Sequence, residues 1–144
     1  MKWKLLHQDS ERTFALIFST GDDVMGGITR FAEKHTLRAS RFTALGAFSS
    51  VVLGYFDWAK KDYHRNPINE QVEVLSLVGD IALESARPKV HAHVVVGRRD
   101  GSTLGGHLLK AKVRPTLELA ITESPVYLTR KRDAASGLAL IKVD

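Results

Sequence analysis

The chain has 144 residues, 44% of them apolar and 26% charged, which favours one globular domain over residues 1–144 and excludes a disordered chain. Cysteine is absent, which excludes disulfides, thiolate metal ligands and thiol nucleophiles. The formal net charge of +5 permits an acidic partner, but the tight basic groups Arg98-Arg99 and Arg130-Lys131-Arg132 are more typical of solvated loops or strand ends.

The first residues of the chain do not have the pattern of an export signal. Residues 1–9 contain no continuous apolar stretch and no cleavage site. Nowhere does an apolar run approach the ~20 residues that a helix needs to cross a bilayer. We therefore expect a soluble, cytoplasmic protein that does not contact a membrane.

A strand and then a helix are predicted early in the chain. Thr13–Phe18 has strand composition, and Gly21-Asp22-Asp23 supplies a turn and a helix N-cap. Apolar residues recur at helical spacing from Val24, and the helix should end near His35. Gly26-Gly27 within its first turns indicates either close packing against a neighbour or a later start of the helix.

The rest of the chain is predicted to be almost entirely strands. Asp100-Gly101 lies between two of them and is a strong hairpin signal. Several strands lack clean alternation, as in Val94-Val95-Val96, which suggests burial on both faces by the helix, a second layer or a partner subunit. The predicted strands are Ser40–Phe48, Val51–Asp57, Val72–Leu83, Val90–Gly97, Thr103–Leu109, Lys112–Thr122 and Leu138–Val143.

These elements predict an α+β fold. Strands that follow one another through short connections favour a mostly antiparallel sheet, with the one main helix packed on a face of it.

Three histidines are the clearest chemical signal. His91 and His93 lie two apart in a predicted strand, so their side chains point to the same face. If the Asp100-Gly101 turn pairs the two strands, His91 or His93 falls opposite His107. Three imidazoles with a fourth position left to water would form an open metal site of the kind that zinc uses, although imidazole also suits iron, nickel or copper.

The alternative is that these histidines only make hydrogen bonds within the sheet. The remaining histidines, His7, His35 and His64, lie in terminal, helix-end and loop contexts, where solvent exposure is the favoured interpretation.

Acid–base chemistry has fewer candidates. Glu70, Glu73, Asp80 and Glu118 could supply a carboxylate, and Glu118 could act as a base beside a metal-bound water. No nucleophile-elbow, P-loop or dinucleotide-binding motif is present.

Segments in order from about Ser10 to Ile141 resemble the PPC domain, the domain conserved between plants and prokaryotes. The segments that carry the resemblance are Gly21–Val24, Phe42–Phe48, Val51–Phe56, Glu73–Ile81, Pro88–His93, Gly105–Leu108, Val113–Thr116 and Glu118.

This resemblance implies a stand-alone prokaryotic member with an antiparallel sheet, a packed helix and a homotrimeric assembly. It also implies that His91, His93 and His107 hold a metal. In plants the domain accompanies AT-hooks in transcription regulators, but the Arg-Gly-Arg-Pro core of an AT-hook is absent here.

Three functional hypotheses follow. The first is a homotrimeric regulatory module that binds a divalent metal, preferably zinc, and a small anionic ligand. The second is a DNA-binding or transcription-associated protein without an AT-hook, and the third is a metal-dependent enzyme acting on a small molecule.

Overall fold

Strands with an inward apolar face form most of the molecule. In the strand Arg12–Ser19, for example, Phe14, Leu16 and Phe18 are buried while Ile17 faces outward, because successive side chains point to opposite sides of a strand. The computed structural model describes residues 1–143. Its elements are β1 (Lys2–Gln8), β2 (Arg12–Ser19), α1 (Val24–Lys34), β3 (Ala39–Asp57), β4 (Asp62–Ile68), β5 (Val72–Glu84), β6 (Arg87–Gly97), β7 (Thr103–Glu123), β8 (Thr129–Arg132) and β9 (Ala139–Lys142).

All nine strands belong to one hydrogen-bonded sheet. Its main path runs β1-β2-β7-β3-β5-β8-β9, with β4 paired to β3. Strand β6 pairs with both β5 and β7, so that β3, β5, β6 and β7 form a closed circuit. The predicted antiparallel sheet with one main helix is therefore confirmed in outline, but strands dominate and the sheet is mixed, because β5 and β8 pair in parallel.

The helix begins and ends where the sequence predicts. Asp23 is the N-cap and accepts a hydrogen bond from the Gly26 amide at 3.2 Å, while His35 is the C-cap. Gly27 is buried against the Phe18 ring, where a β-carbon would lie 3.2 Å from Cζ. The glycine pair therefore reflects close packing, and not a later start of the helix.

The strand pattern differs from prediction in two ways. The small residues Ser49 and Ser50 do not divide the chain, and β3 continues through them, since small residues need not interrupt a ladder. Likewise, β7 joins the predicted strands Thr103–Leu109 and Lys112–Thr122 into one. Secondly, β1, β4 and β8 were not predicted, because their side chains are mostly exposed and carry no strong apolar alternation.

In a single copy the outer face of the sheet is not covered, so the expected burial of this face depends on a partner subunit. Val94 and Val96 point into the core, but Val95 is 41% exposed. Leu75 and Val78 on the neighbouring β5 are also about half exposed. The continuous apolar runs therefore place some apolar side chains on the surface of a single copy.

Within residues 1–143, no helix is long and apolar enough to cross a membrane.

Candidate metal centre

Strand pairing brings the three histidines to one place. The turn at Asp100-Gly101 joins β6 and β7 and sets His93 directly opposite His107, as predicted. His91 lies two residues from His93 on the same face of β6, with buried Ala92 between them pointing inward. The outer face of the sheet therefore presents all three imidazoles together.

The three rings form a nearly equilateral triangle. The ring centroids of His91 and His93 are 5.1 Å apart, those of His91 and His107 are 5.2 Å apart, and those of His93 and His107 are 5.3 Å apart. One ring nitrogen from each residue lies within 4.8 Å of those of the other two. Nitrogens around one tetrahedral zinc ion are separated by roughly 3.3 Å, so small side-chain rotations would close the triangle on an ion.

An aromatic ring packs against His107. The Tyr63 ring from β4 stacks on it with a centroid distance of 4.5 Å and an interplanar angle of 23°. Its Nδ1 atom is buried and has no hydrogen-bond partner among residues 1–143. A buried imidazole nitrogen without a partner is unfavourable unless it meets a ligand, a water or an ion.

The electrostatics favour neutral imidazoles at His93 and His107, the form that binds a metal. Burial, together with the nearby charges of His91, His93 and Lys89, lowers the pKa of His107 to about 4. Burial and the neighbouring His91 also lower the pKa of His93 below its ordinary value. Neutral imidazoles leave a lone pair available, so the donor set fits a borderline divalent metal such as zinc.

Asp80 and Arg130 support the triad from behind His91. The Asp80 carboxylate Oδ2 lies 3.4 Å from Nδ1 of His91, its partner across the β5–β6 ladder. The Arg130 guanidinium pairs with Asp80 Oδ1 and also donates to the Ala139 carbonyl at 2.9 Å. Although burial opposes ionisation, the hydrogen bonds from His91 and Arg130 hold the pKa of Asp80 below its ordinary value.

The burial of Arg130 differs from the prediction made from the sequence. The basic group Arg130-Lys131-Arg132 was expected in a solvated loop or strand end, but only 6% of the Arg130 side chain is exposed. The parallel pairing of Glu84 with Arg130 brings β8 beside β5 and turns this guanidinium inward. Sequence reasoning named Asp80 only as one of four carboxylates and missed Arg130, because their contact spans 50 residues of chain.

A cavity of about 390 Å³ opens beside the triad and is lined by His91 and His107. Lys89, Arg130 and Arg132 contribute positive charge to its wall, and among residues 1–143 Glu84 contributes the one carboxylate. Apolar side chains complete the lining, among them Tyr63, Leu109, Leu138 and Leu140. The volume lies within the range of small-molecule sites.

Other predicted candidates lie elsewhere. Glu118 is exposed on β7 between Ile17 and Leu45 and does not line the cavity beside the histidines. Glu70 instead accepts a hydrogen bond from Arg98 Nε at 2.7 Å.

Glu73 also lies outside that cavity, on the depression next to Arg98. His7 and His64 are exposed, as predicted. His35 is not fully exposed, because its ring stacks on Phe31 with a centroid distance of 4.3 Å and its Nε2 atom is buried.

Known proteins resemble the chain over most of its length. A protein of Pyrococcus horikoshii described as plant- and prokaryote-conserved (PPC) is 28% identical, with a TM-score of 0.86 over 99% of this chain and 95% of that one. The metal-containing protein AF0104 of Archaeoglobus fulgidus is 32% identical, with a TM-score of 0.84 over 99% of this chain and 100% of that one. A candidate DNA-binding protein of Bacteroides thetaiotaomicron shares the fold at 21% identity, with a TM-score of 0.87 over 97% of this chain and 96% of that one.

A curated relative is much longer than this chain. The bifunctional protein GlmU of Synechococcus sp. (strain JA-3-3Ab) is 29% identical over 138 residues, which cover 94% of this chain but 21% of that protein. The chain thus spans about a fifth of the length of this relative. Residues 6–125 match the Plants and Prokaryotes Conserved (PCC) domain, and the chain therefore belongs to that family.

Proposed function

We propose that this protein is a metal-binding module in which His91, His93 and His107 hold one divalent ion, preferably zinc. The observation that carries the proposal is the triangle of imidazoles, with three ring nitrogens mutually within 4.8 Å. The unpartnered Nδ1 of His107 supports it, since an ion ligated there would satisfy a buried atom. The Archaeoglobus fulgidus relative, described as metal-containing, adds support from a chain 32% identical to this one.

Asp80 assigns a role to each nitrogen of His91. If Nδ1–H donates to the Asp80 carboxylate, the lone pair on Nε2 is left for the metal. Such carboxylate–histidine pairs orient a ligating ring and make it a better electron donor. Arg130 in turn fixes the carboxylate, so two residues behind the triad hold His91 ready for an ion.

A metal-dependent enzyme acting on a small molecule is the alternative. It is favoured by the cavity beside His91 and His107, which would give a substrate access to the ion. A bound divalent ion would supply Lewis acidity at that position. Glu118 lines a different depression. Among residues 1–143 the only carboxylate on the cavity wall is Glu84, which forms an ion pair with Lys89 at 3.6 Å. A binding or regulatory role therefore fits the residues better than catalysis.

We further propose that copies of the chain associate, as homotrimers, through the outer face of the sheet. Leu45, Leu75, Val78 and Val95 are 63%, 51%, 50% and 41% exposed on this face. Apolar side chains grouped on a surface favour association, because burying them removes apolar area from water. Val78 is the cross-strand partner of His93, so the metal centre would border the interface.

Metal content tests the proposal directly. Tag-free protein should contain close to one ion per chain when measured by inductively coupled plasma mass spectrometry. A variant with His91→Ala, His93→Ala and His107→Ala, of the same oligomeric state, should lose that ion. Metal retained by the triple variant, or absent from the wild-type protein after incubation with zinc and desalting, would refute the proposal.

A further inference from the structure

We propose that the cavity beside the histidine triad binds a small organic carboxylate, with its charged end towards Arg130, Arg132 and the metal and its apolar body against the opposite wall. This inference rests on the proposed metal site, because His91 and His107 form part of the wall. It goes further in that it assigns a ligand class to residues outside the triad.

The charges on the wall favour an anion. Lys89, Arg130 and Arg132 line the cavity, and Glu84 is the one carboxylate on the wall among residues 1–143. Glu84 pairs with Lys89 and Asp80 pairs with Arg130, so Arg132 is the cation of the wall that these two ion pairs do not neutralise. A bound divalent ion would add further positive charge next to these residues. The wall therefore favours a small anion over a small cation.

Arg130 offers a donor that the protein itself does not use. Its side chain is only 6% exposed, and two of its nitrogens bond to Asp80 and to the Ala139 carbonyl. The remaining nitrogen, Nε, is buried and has no hydrogen-bond partner among residues 1–143. A buried N–H without an acceptor costs free energy, and an oxygen of an anion in the cavity that Arg130 lines would satisfy it once the side chain shifts to expose Nε.

The rest of the wall favours a carboxylate with an apolar body over inorganic phosphate. Leu109, Leu138, Leu140 and the Tyr63 ring line the cavity, and no serine or threonine of residues 1–143 does. Phosphate sites in proteins usually surround the ion with several polar donors, whereas much of this wall is apolar. A short branched carboxylate would instead bury its hydrocarbon against the apolar side chains.

The test uses 3-methylbutanoate as the probe, titrated by isothermal titration calorimetry into protein whose zinc content is measured in the same sample. Three comparisons isolate the charge. 3-Methylbutanol has the same body without the charge, inorganic phosphate has charge without the body, and Arg132→Gln removes an exposed cation from the wall. Arg99→Gln, at the exposed hairpin turn outside this cavity, is the matched control for net charge.

We expect 3-methylbutanoate to bind at least about tenfold more tightly than the alcohol and than phosphate. Arg132→Gln should weaken the carboxylate about tenfold, while Arg99→Gln leaves its affinity unchanged. Equal binding of carboxylate and alcohol, tighter binding of phosphate, or equal losses in both arginine variants would each overturn the inference.

The outcomes also separate this inference from the metal proposal. Zinc-loaded protein that binds no 3-methylbutanoate would overturn the ligand class and leave the metal site standing. Protein that cannot be loaded with zinc but binds the carboxylate in an Arg132-dependent manner would support the cavity and refute the metal site.

Discussion

The Asp80 carboxylate and the His91 imidazole face each other across the β5–β6 ladder, with Oδ2 and Nδ1 separated by 3.4 Å. Behind them the Arg130 guanidinium pairs with the other carboxylate oxygen. The order Arg130, Asp80, His91 connects a short parallel pairing of β5 and β8 with one ligand of the proposed metal centre. The pairing of β8 with β5 thereby helps to set the orientation of the His91 ring.

Asp80→Asn should weaken zinc binding by about 10- to 100-fold, because the charged acceptor that orients His91 is removed. Competition with a chromophoric chelator measures the dissociation constant. Glu73→Gln is the matched control, since Glu73 is an exposed carboxylate on the same strand and does not contact the triad. A dissociation constant for Asp80→Asn that equals the wild-type value, in protein shown to be folded, would contradict the role given to Asp80.

The parts of this arrangement that could be predicted are those with local signals. A cap at Asp23, a turn at Asp100-Gly101 and the spacing of His91 and His93 each depend on neighbouring residues, and the structure has them where they were expected. By contrast, the contact of Asp80 with Arg130 depends on a pairing between distant segments. Nothing in either segment's own composition encodes it.

The same reasoning explains the errors in the strands. Ser49-Ser50 resembles a break when only local propensity is considered, but the ladders on both sides of β3 carry the strand through it.

His35 was expected to be solvated because it ends a helix. It is instead enclosed by aromatic rings from β1, β2 and α1, including that of Trp3 at a centroid distance of 4.5 Å.

His35 should make the stability of the protein depend on pH. Burial, and then the charges of Lys34 and Arg12, lower the pKa of His35 in the folded state. The native state therefore disfavours protonation, so the stability from neutral His35 is present above the unfolded pKa of about 6.5 and declines as pH falls towards the folded pKa.

His35→Phe keeps an aromatic ring and removes the titrating group. The loss in unfolding free energy between pH 7.5 and pH 5.5, measured with guanidinium chloride, should be smaller than in the wild-type protein. His64→Gln, which changes an exposed histidine on β4, serves as the control. An identical pH dependence in His35→Phe and wild-type protein would show that His35 does not carry this effect.

Gly46 should not tolerate a side chain. Its φ of 147° lies in a region that L-residues rarely adopt, at a register shift in the pairing of β3 with β5 and β7. An added β-carbon would meet the Thr116 carbonyl oxygen and lie 2.8 Å from Leu117 Cα. Backbone atoms cannot rotate away, so Gly46→Ala should lower the free energy of unfolding by roughly 2–4 kcal/mol.

Gly105→Ala is the comparison for this substitution. There the β-carbon would lie 3.4 Å from the Val94 carbonyl oxygen, an ordinary contact, so the change should stay within about 1 kcal/mol. Equal unfolding midpoints in guanidinium chloride for the two variants would be inconsistent with the steric argument.

Duplex DNA should not be retained near physiological salt, despite the net charge of +5. Arg98 pairs with Glu70 and Arg130 with Asp80, so two arginines of the tight basic groups are already engaged. Fluorescence anisotropy of a labelled duplex at about 50 and 150 mM salt measures the affinity and its salt dependence. Tight binding that weakens steeply with salt, and is lost in Arg99→Gln/Arg132→Gln, would instead support the DNA-binding alternative.

Leu75 should control self-association. Its side chain is 51% exposed on the outer face of β5, in a group with Val78 and Val95. In an assembly through this face it would be buried, and Leu75→Asp would then place a carboxylate in an apolar interface without a partner. We expect wild-type protein to have three times the 16.0 kDa chain mass by light scattering after size exclusion, and Leu75→Asp to have the mass of one chain.

Val126→Asp separates this effect from a general response to added charge. Val126 is 72% exposed in the segment between β7 and β8, so its substitution should leave the trimer intact. A wild-type monomer would refute the trimer itself. A trimer that survives Leu75→Asp would move the interface off this face, and His93, the partner of Val78 across the ladder, would then remain open to solvent in the assembly.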